Sequence, residues 1–167
     1  MKPRIAASAV ASYPPRKIGT GLGMFQKFVG AFALAATIAA FQPAEASAAR
    51  LVATVNLSSQ TMTVTEGGIV KYRWAISTAR RGKITPTGSW SAKWTSRNHR
   101  SSRYNNAPMP YSVFYSGNYA VHGTYQSKLL GRPASAGCIR LSVGNAATFY
   151  SLARQAGLKN TRIVVRP

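Results

Sequence analysis

The stretch from Tyr119 to Leu141 opens Tyr119-Ala120-Val121-His122-Gly123-Thr124, runs through a basic loop, and closes Ser135-Ala136-Gly137-Cys138-Ile139-Arg140-Leu141. His122 ends a short apolar run, where a side chain at a strand end would sit. Cys138 is the single cysteine of the chain. It follows Gly137 in a run of small residues, where a backbone turns sharply and a substrate approaches closely. A thiol is mostly protonated at neutral pH, and a neighbouring imidazole that takes the proton turns it into a nucleophile. The two groups must meet within about 3 Å in space, not in sequence. Their separation of 16 positions leaves room for a loop that folds back. Read without its flanks, a lone cysteine is equally well a small buried hydrophobe.

The flanks decide between these readings. His122-Gly123-Thr124 and Ser135-x-Gly137-Cys138-Ile139-Arg140-Leu141 resemble the L,D-transpeptidases of the YkuD-like family, bacterial cell-wall cross-linking enzymes with a catalytic cysteine. Upstream, Thr85-Pro86-Thr87-Gly88 resembles the family's Thr-Pro-x-Gly segment. Met109-Pro110-Tyr111, leading through Gly117 to His122, resembles its Met-Pro-Tyr to His-Gly run. The likeness covers about residues 50 to 166. It implies a mainly β fold, a β-sandwich of mixed sheets with one clear α-helix after the catalytic cysteine.

Charge points to an anionic partner. The chain has 167 residues and a net charge of +20, with 22 Lys and Arg against two acids, Glu45 and Glu66. Nucleic acid, anionic lipid and an acidic polymer all fit such a balance. Residues 24 to 48 read as a secretory signal: Lys27, an uncharged run of 13 residues from Phe28 to Ala40, then Ala44-Glu45-Ala46 as a small-x-small cleavage site. Ala46-Ser47-Ala48 serves equally well, and the apolar run is short for a membrane span of about 20 residues. The expected division is residues 1–46 as extension and signal peptide, with Met24 as an alternative start, and 47–167 as the catalytic domain. Loss of the leader leaves 17 basic residues and Glu66, a net charge of +16. Export to the periplasm or cell wall argues against a nucleic-acid partner and limits membrane contact to the signal peptide. One Cys, two His and one acid build no credible metal site, and no cofactor is expected.

Along the mature chain, Leu51 to Leu57 alternates as a half-buried strand. Thr61–Thr65 and Ile69–Ile76 read as a hairpin around Glu66-Gly67-Gly68. Ser77–Gly88 reads as a basic loop with Arg80, Arg81 and Lys83; the resemblance implies that it shapes the substrate cleft, and a solvated loop fits equally well. Trp90–Trp94 reads as a short strand with both tryptophans on one face, packed in the core. Arg97–Pro108 reads as a long polar loop carrying His99, a weaker candidate for the base. Tyr111–Tyr115 and Tyr119–His122 read as strands around Ser116-Gly117-Asn118. Ser142 as N-cap and Gly157 just past the C-terminus bracket an amphipathic helix with Val143, Ala146, Phe149, Tyr150, Ala153 and Ala156 at helical spacing. Lys159–Val165 closes as a strand.

The resemblance implies roles for these residues. Cys138 attacks the carbonyl between the third and fourth residues of a peptidoglycan stem peptide, the terminal D-alanine leaves, and an amine of a second stem resolves the thioester. His122 is base and then acid, oriented by the backbone carbonyl of Gly123. The N–H groups of Gly137 and Cys138 are candidates for the oxyanion hole, and Ser135 holds the turn. Tyr111, Thr124 and Arg140 are substrate-binding candidates; Arg140 either binds a carboxylate or braces the loop. Water as acceptor would make an L,D-carboxypeptidase, and an envelope protein's amine would make an attachment enzyme. A non-enzymatic cationic wall-binding protein is the remaining alternative.

Overall fold

The computed structural model describes residues 51–167. The leader, its cleavage sites and Met24 lie outside the described residues. Among the described residues nine strands form two mixed sheets, with one α-helix packed against them. In chain order they are β1 (Leu51–Asn56), β2 (Thr61–Glu66), β3 (Ile69–Ala75), β4 (Gly88–Ser91), β5 (Trp94–Arg100), β6 (Pro108–Ser116), β7 (Tyr119–Thr124), β8 (Ile139–Ser142), α1 (Val143–Ala156) and β9 (Thr161–Arg166). The first sheet has the order β3-β2-β1-β9-β4, with β1 and β9 parallel and the other pairs antiparallel. The second has the order β5-β6-β7-β8, antiparallel except for β7 beside β8. This is the mostly β architecture of two mixed sheets and one helix that the sequence implies.

The core lies between the sheets, and sequence alternation puts it there. Leu51, Ala53 and Val55 from β1, Met62 and Val64 from β2, and Ile163 and Val165 from β9 meet Val113, Tyr115, Val121, Ile139 and Leu141 of the second sheet. Full burial of a side chain of this size is worth about 2 kcal/mol. Ala146, Phe149 and Ala153 bring α1 onto the same cluster. The helix starts where the Ser142 hydroxyl accepts the Asn145 N–H at 3.2 Å, and ends at Gly157 with φ 86°, a left-handed geometry that suits glycine. No acid lies in its first turn.

Two expectations are corrected. Trp90–Trp94 is not one strand. The Ala92 N–H bonds Thr161 O at 2.9 Å in the first sheet, and the next residue's N–H, from Lys93, bonds Phe114 O at 2.8 Å in the second. The chain therefore changes sheets between the two tryptophans, and they part company. Trp90 packs on the core against Tyr115, whereas Trp94 is 44% exposed and stacks on Phe114. Nor is Arg97–Pro108 all loop. Its first third is the end of β5, which has no apolar face to betray it because it lies at the edge of its sheet with solvent on one side.

Candidate active site

The second sheet has two uses. One face feeds the core; on the other, Met109, Phe114 and Ala120 form a small separate cluster with half-buried Cys138 against it. Parallel pairing of β7 and β8 sets Val121 opposite Ile139 and His122 opposite Arg140. Val121, Ile139 and Leu141 go inward. His122, Cys138 and Arg140 line a cavity of about 630 Å³ on the other side, together with Ser135 and Thr124. The expected base, on β7, and the expected nucleophile, one residue before β8, thus share one wall because the two strands are neighbours.

His122 is 5% exposed. Its Nδ1 lies 2.8 Å from Gly123 O. A carbonyl oxygen only accepts, so Nδ1 carries the proton and Nε2 keeps the lone pair a general base needs. Gly123 is hemmed in, since a Cβ there would stand 3.1 Å from Pro110 Cγ and Val143 Cα. Burial pushes the imidazole down to about 4; the Gly123 carbonyl opposes this, and the Arg140 and His99 charges add to it. Burial likewise pushes the Cys138 thiol up, against the Ala120 N–H and Arg140, which favour the thiolate. At neutral pH both partners are therefore uncharged. Among the described residues the thiol's hydrogen bond goes to Asn118 O, at 3.8 Å.

The cysteine turn is held by Ser135. Its hydroxyl accepts the Gly137 N–H at 2.9 Å and donates to Cys138 O at 2.7 Å. This corrects one expectation: the Gly137 N–H, expected as an oxyanion donor, is taken by Ser135, and the Cys138 N–H is the candidate that remains. Gly137 itself is dictated by space and conformation. Its φ is 136°, and a Cβ would fall 2.7 Å from both Ile84 O and Tyr119 Cε1.

A strap from Ile76 to Thr85 locks this turn from outside. Ser77 exchanges backbone hydrogen bonds with Arg140, Thr78 O receives the N–H groups of Ala134 and Ser135, and the Arg80 N–H bonds Ser135 O at 3.0 Å. The Thr85 hydroxyl accepts from the Ala79 N–H and donates to Gly137 O at 2.8 Å. The threonine of the Thr-Pro-x-Gly segment is thus a brace under the glycine before the nucleophile.

Tyr111 is not in the cavity. At φ 55° it interrupts the β5–β6 ladder, and its ring turns toward Tyr150 on α1 at 5.8 Å. The Arg97 guanidinium covers it at 5.8 Å. The same interruption brings Met109 and Phe114, an odd number of positions apart, to one face. Thr124 does line the cavity, its hydroxyl accepting the Gln126 N–H at 3.1 Å. Arg140 bonds Gln126 Oε1 at 3.2 Å. Residues not anticipated at the cavity are Phe114, Asn118 and Tyr119; Arg80 and Trp94 line it as well. His99 is there too, edge-on to Trp94 and Phe114. Among the described residues no group of three His, Cys, Asp or Glu gathers as a metal site would require.

A family model described as the L,D-transpeptidase catalytic domain matches residues 50–165. Among solved structures, an L,D-transpeptidase from Mycobacterium smegmatis is 23% identical with a TM-score of 0.63, over 71% of this chain and 59% of that one. An LD transpeptidase solved in complex with imipenem is 25% identical with a TM-score of 0.62, over 70% of this chain and 59% of that one. An L,D-transpeptidase from Xylanimonas cellulosilytica is 25% identical with a TM-score of 0.58, over 75% and 65%. The chain thus spans less than two thirds of the length of these structures. No curated protein matches it.

Proposed function

Because this chain belongs to the family of L,D-transpeptidase catalytic domains, we propose that it is a peptidoglycan L,D-transpeptidase with Cys138 as its nucleophile. The observation that carries the reading is the shared cavity of His122 and Cys138, with Nδ1 of the imidazole occupied by Gly123 O and Nε2 left to act.

The Cys138 sulfur attacks the carbonyl carbon of the third stem residue as His122 Nε2 takes the thiol proton. The resting pair is neutral, so proton transfer accompanies attack instead of preceding it. The Cys138 N–H faces the developing oxyanion, a donor typically worth about 3 kcal/mol. The C–N bond breaks, His122 returns the proton to the departing D-alanine amine, and a thioester remains. An acceptor amine then attacks the thioester, gives its proton to His122, and expels the thiolate, which His122 reprotonates. Water in the acceptor's place yields a carboxypeptidase, and a protein amine an attachment reaction. The signal pattern of residues 24–48 supports export to the periplasm or wall, where a basic domain is retained by a polyanionic matrix.

Incubation with purified disaccharide-tetrapeptide, followed by intact-mass spectrometry beside a Cys138→Ala control, tests this. A covalent adduct at the mass of the acyl tripeptide fragment, absent from the control, is expected, with cross-linked dimers in the same tube. Free tripeptide without dimers makes the protein a carboxypeptidase. No adduct from folded protein with a reduced thiol overturns the acyl-enzyme mechanism.

A further inference from the structure

Two segments far apart in sequence meet on the residue that orients the imidazole. Gly123 O takes the Nδ1 proton of His122 at 2.8 Å. Whatever fixes that peptide plane therefore fixes which ring nitrogen is left for the thiol. Gly123 does not have a positive φ, so space alone demands glycine there. A Cβ would stand 3.1 Å from Pro110 Cγ, 3.2 Å from Pro110 O and 3.1 Å from Val143 Cα. The residue is gripped between β6 on one side and the first residue of α1 on the other.

Pro110 reaches that place through a kink. The pairing of β6 with β7 includes Val113 opposite Val121. Two residues further on in the same register, Tyr111 and not Pro110 would face Gly123. Tyr111 instead takes φ 55°, a left-handed conformation that a residue with a Cβ keeps only under constraint. Two contacts supply the constraint. The buried Ser112 hydroxyl donates to Met109 O at 2.8 Å and closes the chain around Pro110 and Tyr111. The Tyr111 ring stands edge-on to Tyr150 on α1, 5.8 Å away, with the Arg97 guanidinium over it. Both jaws on Gly123 thus belong to one unit, because Tyr150 ties the kink to the helix whose first residue is Val143.

We propose that Tyr111 is a positioning residue for the base, acting from behind the cavity: its kink, pinned on Tyr150, seats Pro110 against Gly123 and holds the carbonyl that keeps the proton on His122 Nδ1. The inference goes beyond the acyl-transfer reading, since it concerns the imidazole before any donor binds. Without the clamp the Gly123 peptide is free to turn, and the proton divides between Nδ1 and Nε2. An imidazole protonated on Nε2 cannot accept the thiol proton there, so the loss falls on the chemical step and not on donor binding.

The test uses the full chain with its Tyr111→Ala and Tyr111→Phe variants. Long-range proton–nitrogen correlation spectra at neutral pH report which ring nitrogen of His122 carries the proton. Acyl-enzyme formation with disaccharide-tetrapeptide, followed by mass spectrometry, gives kcat and KM. Wild-type protein should show the proton on Nδ1. In Tyr111→Ala an Nε2-protonated share should appear, and kcat should fall by about tenfold or more with KM changed by less than about threefold. Tyr111→Phe keeps the ring and should restore both. A merely structural Tyr111 would lower the urea midpoint of the alanine variant and leave the tautomer of its folded molecules unchanged. If Tyr111→Ala does not fold, Pro110→Ala, which strips Cγ from one jaw, should shift the tautomer in the same direction. An unchanged tautomer in the folded variant, or an Nε2-protonated imidazole in the wild type, overturns the inference. Absence of any acyl-enzyme from the wild type overturns the acyl-transfer reading instead, and the spectra still decide the clamp.

Discussion

Lowering the pH from 7.5 to 4 isolates one residue of this protein. Acid unfolding ordinarily runs through many carboxylates that lose their partners. Among the described residues here there is one acid, Glu66, and two histidines. His122 is buried, and burial, joined by the Arg140 and His99 charges against the Gly123 carbonyl, holds it down to about 4. In the unfolded chain it takes its proton near the usual value of about 6.5. Between these two values the unfolded state binds the extra proton and the folded state does not. Stability is therefore complete above about pH 6.5, falls as the pH drops through the window, and levels off below about 4. A gap of about 2.5 pH units at about 1.4 kcal/mol each is about 3.5 kcal/mol in full and about 3 kcal/mol by pH 4, a large part of a stability of about 5–15 kcal/mol. Urea unfolding at pH 7.5, 6, 5 and 4 reads this directly. With a slope of about 1–3 kcal/mol per molar, the midpoint should fall by about 1–3 M. His122→Gln should flatten the dependence. Midpoints that agree at pH 7.5 and 4, or a slope that survives in His122→Gln, would refute the claim that the base is held neutral by burial.

Alkylation of Cys138 by a neutral reagent should accelerate steadily with pH beyond the ordinary thiol range, because burial holds the thiol up; a plateau from about pH 5 to 8 would instead reveal a preformed thiolate–imidazolium pair. Arg140→Gln should slow the labelling at any given pH, since that cation favours the thiolate. Thr85→Val keeps the shape but strips the Ala79 N–H and Gly137 O of a partner. It should cost about 2 kcal/mol in urea unfolding and reduce the acylation rate, and a change under about 0.5 kcal/mol would remove the brace from the account.

Much of this was legible in the sequence where physics writes locally. β1 alternates because one of its faces is buried, Glu66-Gly67-Gly68 turns because its glycines take positive φ, and Ser142 caps a helix with its own side chain. The membership of His122 and Cys138 in one site came through the family likeness of their flanks, not from spacing. What stayed hidden depends on partners far along the chain. Nothing within Trp90–Trp94 announces that Ala92 and Lys93 bond different sheets. The polar residues of β5 have no apolar rhythm, and the strap from Ile76 to Thr85 is bonded to the cysteine turn more than fifty positions away. Tyr111 was misplaced for a local reason of another sort, a left-handed residue inside a strand that no tyrosine advertises. The Gly137 N–H was lost to the oxyanion hole because Ser135, two residues earlier, reaches it first.

The position of β9 has a consequence in time. The last strand of the chain, Thr161–Arg166, lies inside the first sheet, parallel to β1 and joined on its other side to β4. Until it arrives, β4 has no neighbour in that sheet and β1 has an open edge. The sheet therefore cannot be completed from the ribosome outward, one hairpin at a time. Its closure awaits a strand made about a hundred positions after β1, and pairing across that separation makes the step slow as well as late. A nascent chain of this topology keeps the β1 edge and β4 unpaired in that sheet until β9 has been made.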